Sequence, residues 1–189
     1  NSWATSAKDE TSKLLADRKY GLTDFGEQVV KKMNQLGMIV DVSHVGEHTF
    51  WDVIRLTTKP IIASHSSVYA LCPVFRNLKD DQIKAIAKNG GVIHINFFSG
   101  FLDSNYKKES GVRPPLSLII DHINYIVKLV GVDYVGIGSD FDGIDSTPKG
   151  LNGVEDFPLI TKALLKEGYS KQDIEKILGG NFLRVLAQQ

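Results

Sequence analysis

The sequence predicts an α/β protein built on a parallel sheet, and two observations point there. Short apolar runs alternate with amphipathic helical patterns along most of the chain. The runs themselves are apolar on both faces, as in strands covered by helices on one side and by a core on the other. Strands alternating with helices read as βαβ units, each wound right-handed. Four such units fit either a small open α/β sheet or half of an eight-stranded barrel. The 189 residues fall short of the roughly 250 that a complete barrel takes.

The elements follow in order. Residues 1–24 read as an irregular polar segment, with a short helix expected around Lys13–Asp17. Residues 25–189 carry the α/β rhythm. Phe25, Val29, Val30, Met33 and Leu36 fall at helical spacing, and Gly37 suits the helix end. Met38–Val42 is a β-branched run and reads as the first strand. His48–Leu56 reads as a helix and Pro60–Ser64 as the second strand. Lys79–Asn89 is a helix stopped by Gly90-Gly91, and Val92–Phe98 is the third strand. A polar loop covers 99–113. Leu116–Val130 is the longest helical pattern, Tyr134–Gly138 the fourth strand, and 140–155 a Gly- and Asp-rich loop. Helices over Phe157–Glu167 and Lys171–Leu178 close the chain, the second capped by Ser170 with Asp173 three residues on. Asn181 is expected to cap a last short helix ending in LRVLA.

The composition is that of a globular protein, with 42% hydrophobic and 23% charged residues. Twenty-two basic side chains balance twenty-two acidic ones. That balance lacks the basic footprint of a nucleic-acid binder. No apolar run approaches the roughly 20 residues that span a bilayer. The polar start NSWATSAKDETSK is no secretory signal, and its first residue, Asn1, suggests a chain that begins inside a longer one. The single cysteine, Cys72, excludes an internal disulfide and Cys-rich zinc modules. It favours a reducing, cytoplasmic location.

Active sites in parallel sheets of this kind lie at the carboxyl ends of the strands. His44, in DVSH, ends the first strand, and His65, in ASHS, ends the second. Asn96 and Phe97 close the third. Asp140, in GSDFDG, ends the fourth. Neighbouring parallel strands lie about 5 Å apart, so two such histidines can share one ion. Zinc takes neutral imidazole nitrogen and carboxylate oxygen. Asp140 could bind metal, orient water or move a proton. Each residue also has a plainer reading: a surface histidine, a turn aspartate. Arg76, in VFRNLKDD, could grip a carboxylate in a bidentate fork or be a surface arginine. Asn77 could simply start the helix. His94 inside a strand reads as structural, and His48 and His122 as solvent or packing residues. Ser66 and Ser67 lack a G-x-S-x-G elbow and are not read as nucleophiles.

Taken together the motifs resemble the membrane (renal) dipeptidase family of zinc metallopeptidases. The matching pieces are LTDFGEQVVKKMNQLGMIVDVSHV, PIIASHSSVYAL, RNLKDDQI, GVIHINFF, DHINYIVKLVGVDYVGIGSDFDG and GGNFLRVL, in the family's order over about residues 20–187. The resemblance implies the carboxyl half, about four βα units, of a (β/α)8 TIM-type barrel with two zinc ions at its rim. It implies hydrolysis of dipeptides, including some with a D-residue at the carboxyl side, by a metal-bridging water. By that resemblance His44 and His65 are ligands of one zinc. Arg76 meets the substrate carboxylate, and Asp140 lies at the substrate and handles the proton at the scissile nitrogen. The family's early His-x-Asp pair, bridging glutamate and substrate-side histidine have no counterpart here. The expected partners are therefore a dipeptide substrate and the missing amino-terminal half of the barrel, as another chain or another segment, or else a second copy of the chain. Without that half the chain is expected to be inactive. Two other readings stand beside this one: a non-catalytic or degenerate barrel domain, and another metal-dependent hydrolase of the amidohydrolase type.

Overall fold

The structure is a computed structural model that describes residues 3–12 and 20–189. The helix expected at Lys13–Asp17 lies outside the described residues. The segment before residue 25 is not wholly irregular. Helix α1, Ala7–Ser12, forms there, and isolated antiparallel bridges tie Ala4 to Leu22 and Ser6 to Val45.

Helix α2 (Asp24–Gln35) starts where Thr23 Oγ1 accepts from the Gly26 N–H at 3.1 Å, one of the orphan donors that every helix start exposes. Helix α3 spans Glu47–Leu56 and α4 Asp80–Lys88. Strands β1 (Ile62–Ala63), β2 (Val92–Asn96) and β3 (Val135–Ser139) form a parallel sheet in the order β1-β2-β3. Ile62 and Ala63 pair with Val92 and Ile93, and Ile93 to Ile95 pair with Val135 to Ile137. Helix α6 (Ser117–Val130) connects β2 to β3. Short α5 (Ser99–Leu102) and a 3-10 turn at Lys108–Ser110 interrupt the loop expected over 99–113.

The run Met38–Val42 is extended but is not a full strand. It makes one parallel bridge, Asp41 to Ile62, with Val42 N donating to Ile62 O at 2.8 Å and Ile62 N to Val40 O at 3.0 Å. The ladder stops because the Asp41 side chain intercepts it. Asp41 Oδ1 accepts from the backbone N–H groups of both Ser43 and Ser64, at 2.9 and 3.0 Å. Short polar side chains compete with secondary structure in this way.

One core serves the whole unit. Ile93 and Ile95 of β2 are fully buried, as are Ile83 and Ile86 of α4 and Ile119, Ile123 and Ile126 of α6. Each such side chain contributes about 1.5–3 kcal/mol relative to exposure.

Helices α7 (Phe157–Lys166), α8 (Lys171–Glu175) and α9 (Asn181–Leu186) end the chain, with a π turn at Lys176–Gly180. Ser170 caps α8, its Oγ accepting from Asp173 N at 3.1 Å. Asn181 does not cap α9. It is the helix's first residue, and its Nδ2 donates to the carbonyls of Val132 and Val135, both at 2.8 Å. Arg184 donates to the carbonyls of Gly90, Gly91 and Asp133. The last helix thus fastens to the chain entering β2 and β3, at the end opposite the rim described next.

Candidate active site

At the carboxyl ends of the strands the structure brings His44 and His65 together. Their ring centroids lie 4.8 Å apart, with the planes inclined by 60°. Each follows an extended segment, the one ending at Val42 and the one ending at Ala63, and the Asp41–Ile62 bridge sets those segments side by side. The backbone is unusual there. Among the described residues the non-glycine positions with positive φ are His44 (71°), Ser139 (39°) and Asp140 (77°). Such conformations cost roughly 1–3 kcal/mol each and concentrate at functional sites. At His44 and Asp140 they turn the chain just where it leaves the sheet.

Burial lowers the pKa of the His44 imidazole, helped by the Arg76 and His65 charges and opposed by Asp140 and Asp41. A neutral imidazole is the form that binds metal. Among the described residues no group of three or more His, Cys, Asp and Glu side chains gathers in metal-binding arrangement. The described residues thus bring two imidazoles side by side and no third ligand-type side chain to them.

Asp140 is held by a residue that the sequence reading placed only at a strand end. Asn96, fully buried at the end of β2, donates from Nδ2 to Asp140 Oδ2 at 2.9 Å, and its Oδ1 accepts from Phe98 N at 2.6 Å. An uncharged polar residue closing the apolar run VIHIN was the available signal. Gly138 lets β3 approach closely: a Cβ there would meet Ser64 O at 2.4 Å and His94 O at 2.9 Å.

Arg76 is not a surface residue. It is 8% exposed, and its guanidinium carbon stands 5.4 Å from the Phe101 ring centroid. Its Nη2 is buried with no hydrogen-bond partner among the described residues. Burial lowers the pKa of this guanidinium, and the charges of Asp140 and Asp41 oppose that shift. An orphaned buried cation is costly until an anion meets it. His44, Arg76, Phe98, Phe101 and Asp140 line one cavity of about 470 Å³. Asn77 does not start α4. Its Nδ2 donates to the carbonyls of Cys72 and Phe101, both at 2.8 Å, and so fixes the loop that carries Arg76.

The other histidines lie elsewhere. His122 is buried, its Nδ1 accepting from Val68 N at 3.0 Å. His94 is buried on β2 against Phe182. His48 is exposed on α3 and pairs with Glu10 at 2.9 Å. Asp142 lines the cavity beside Asp140.

Ligand-type side chains at the carboxyl rim of a parallel α/β sheet are the arrangement of metal-dependent barrel hydrolases. Comparison with known proteins narrows that class. The sequence profile of the membrane dipeptidase family, Peptidase family M19, matches residues 1–189, and the chain belongs to that family. It is 41% identical over 186 residues to an uncharacterized dipeptidase of Schizosaccharomyces pombe, covering 98% of this chain and 43% of that one. The crystal structure of a metallo peptidase from Rhodobacter sphaeroides, liganded with a phosphinate mimic of the dipeptide L-Ala-D-Ala, superposes with a TM-score of 0.84 at 32% identity. It covers 91% of this chain and 48% of its own. The probable dipeptidase PvdM from Pseudomonas aeruginosa gives 0.87 at 29% identity, covering 100% of this chain and 60% of its own. The chain thus spans about half the length of the relatives it matches. Several of its relatives are named dipeptidases and the family is one of metallopeptidases, which makes metal dependence a family property. No helix among the described residues is long and apolar enough to cross a membrane.

Proposed function

We propose that this chain is the carboxyl half of a zinc-dependent dipeptidase, and that a second half completes the barrel and the metal site. The observation that carries this reading is the pair of imidazoles, His44 and His65, 4.8 Å apart at one rim. Nitrogen donors of this kind suit zinc, and the two would hold one ion of a two-ion site. A bound metal would supply Lewis-acid polarisation of the peptide carbonyl and an acidified water.

This chain's own residues do the rest. Arg76, buried and missing a partner on Nη2, takes the free carboxylate of the dipeptide in a bidentate fork. That contact restricts the enzyme to short substrates with a free carboxyl terminus. Asp140, fixed through Oδ2 by Asn96, passes a proton to the leaving amine. Acceptance of a D-residue at the carboxyl side is supported by the phosphinate mimic of L-Ala-D-Ala bound in the Rhodobacter sphaeroides relative. The missing half is supported by the shares of the relatives that the chain covers, 39–60%. It would cover the exposed side of His44 and Asp41.

The test is hydrolysis by the full-length protein with zinc. Dipeptides with an L- or a D-residue at the carboxyl side are cleaved, and their carboxyl-terminal amides are not. Asp140→Asn lowers kcat by about 10²-fold or more with zinc content unchanged. Wild-type turnover in Asp140→Asn would remove the proton-transfer role, and cleavage of the amides as fast as the acids would remove that of Arg76.

A further inference from the structure

The motif DVSH begins with an aspartate, and ASHS places a serine before its histidine. The structure joins them. Asp41 Oδ2 accepts from Ser64 Oγ at 2.5 Å, and Ser64 Oγ lies 2.7 Å from His65 Nδ1. Asp41 Oδ1 already accepts from two backbone N–H groups, so the carboxylate is anchored as the fixed end of the chain. At the other end the His65 backbone N–H donates to Ser43 Oγ at 2.9 Å, which pins the residue from a second side.

We propose that Asp41 and Ser64 form a relay that sets the tautomer of His65, placing the proton on Nδ1 and leaving the Nε2 lone pair for the metal. This inference rests on the reading of His65 as a metal ligand. The proton count decides the direction. A carboxylate has only acceptors, and a serine hydroxyl has one proton. If Ser64 gave that proton to His65, its oxygen would face Asp41 Oδ2 at 2.5 Å with no proton between them. Ser64 therefore donates to Asp41 and must accept from His65, whose Nδ1 carries the hydrogen. Free imidazole has no such constraint. Partners behind a ligating histidine fix the ring and tautomer in this manner, and losing them typically weakens metal binding by about 10–100-fold. Asp41 and Ser64 are positioning residues; neither touches the reacting atoms.

The deciding experiment replaces Asp41 by Asn. The amide keeps an oxygen for the two backbone donors but turns Oδ2 into a donor. Ser64 then accepts from residue 41, and its own proton is freed for His65 Nδ1, which favours the hydrogen on Nε2. Long-range proton–nitrogen correlation spectra of the chelator-treated full-length protein, at about pH 8 and so above the ordinary imidazole pKa of about 6.5, read the tautomer directly. The wild type should show a protonated Nδ1 and a bare Nε2 at His65, and Asp41→Asn the reverse, with zinc binding weakened about 10–100-fold. Ser64→Ala should lose the wild-type pattern and Ser64→Thr should keep it, so the relay is tested even where Asp41→Asn fails to fold. A wild-type His65 protonated on Nε2, or a tautomer unmoved in Asp41→Asn or Ser64→Ala, would overturn the relay. A correct tautomer in a wild-type protein that binds no zinc would instead overturn the metal reading and leave the relay standing.

Discussion

Arg76 shows how a buried side chain can carry a functional claim. A guanidinium that is 8% exposed, stacked on Phe101 and short of a partner for Nη2 costs stability unless something binds it. Arg76→Lys keeps the charge and loses the fork. We expect KM for a dipeptide to rise about tenfold or more, in line with the roughly 1.5–3 kcal/mol of a charged hydrogen bond, while zinc content stays as in wild type. Steady-state kinetics on the full-length protein check this, and an unchanged KM would return Arg76 to a packing role. At this scale the sequence was legible in part. His44, His65, Arg76 and Asp140 stood at strand ends or in an ordered motif. The contacts around them were not legible: Asn96 reaches Asp140 across 44 residues, and Asn77, next to Arg76, reaches the carbonyl of Phe101 across 24. Nothing in local spacing encodes such contacts.

At the scale of elements the helical periodicities are reproduced to within a few residues, because each rests on a repeating apolar face that the core requires. The differences arise where a side chain redirects the backbone. Met38–Val42 has the β-branched composition of a strand, yet Asp41 takes the N–H groups of Ser43 and Ser64 and ends the ladder after one bridge. Asn181 has the composition of a helix cap, yet it spends its amide on the carbonyls of Val132 and Val135. Asn181→Ala should therefore act on the seam between α9 and the start of β3, not on helix formation. The expected loss is about 1–3 kcal/mol, from one buried and one half-buried carbonyl left without a side-chain donor. Denaturant unfolding measures it. A loss as small as the few tenths of a kcal/mol of an exposed substitution would show that those bonds contribute nothing net.

On the scale of the whole molecule, buried histidines make stability depend on pH. Burial holds the His122 imidazole neutral, with its pKa lowered to about 4, and Nδ1 serves as acceptor for Val68 N. Between about pH 6.5 and 4 the unfolded chain binds a proton at this position that the folded chain refuses. Stability from this group is present above pH 6.5 and is lost as the pH falls through that window, by up to about 3 kcal/mol. His122→Asn, which can keep an acceptor near the Nδ1 position, should flatten the dependence between pH 4 and 6.5, as read from unfolding midpoints. An identical pH profile in wild type and variant would contradict it.

The same scale holds the central claim, that this chain gives two imidazoles to a metal whose remaining ligands come from the rest of the barrel. Its most direct test is anomalous diffraction at the zinc edge from crystals of the full-length protein. A peak about 2.0–2.1 Å from one ring nitrogen of His44 and one of His65 is the expected result. Crystals grown with zinc that show both rings in place and no peak between them would contradict it.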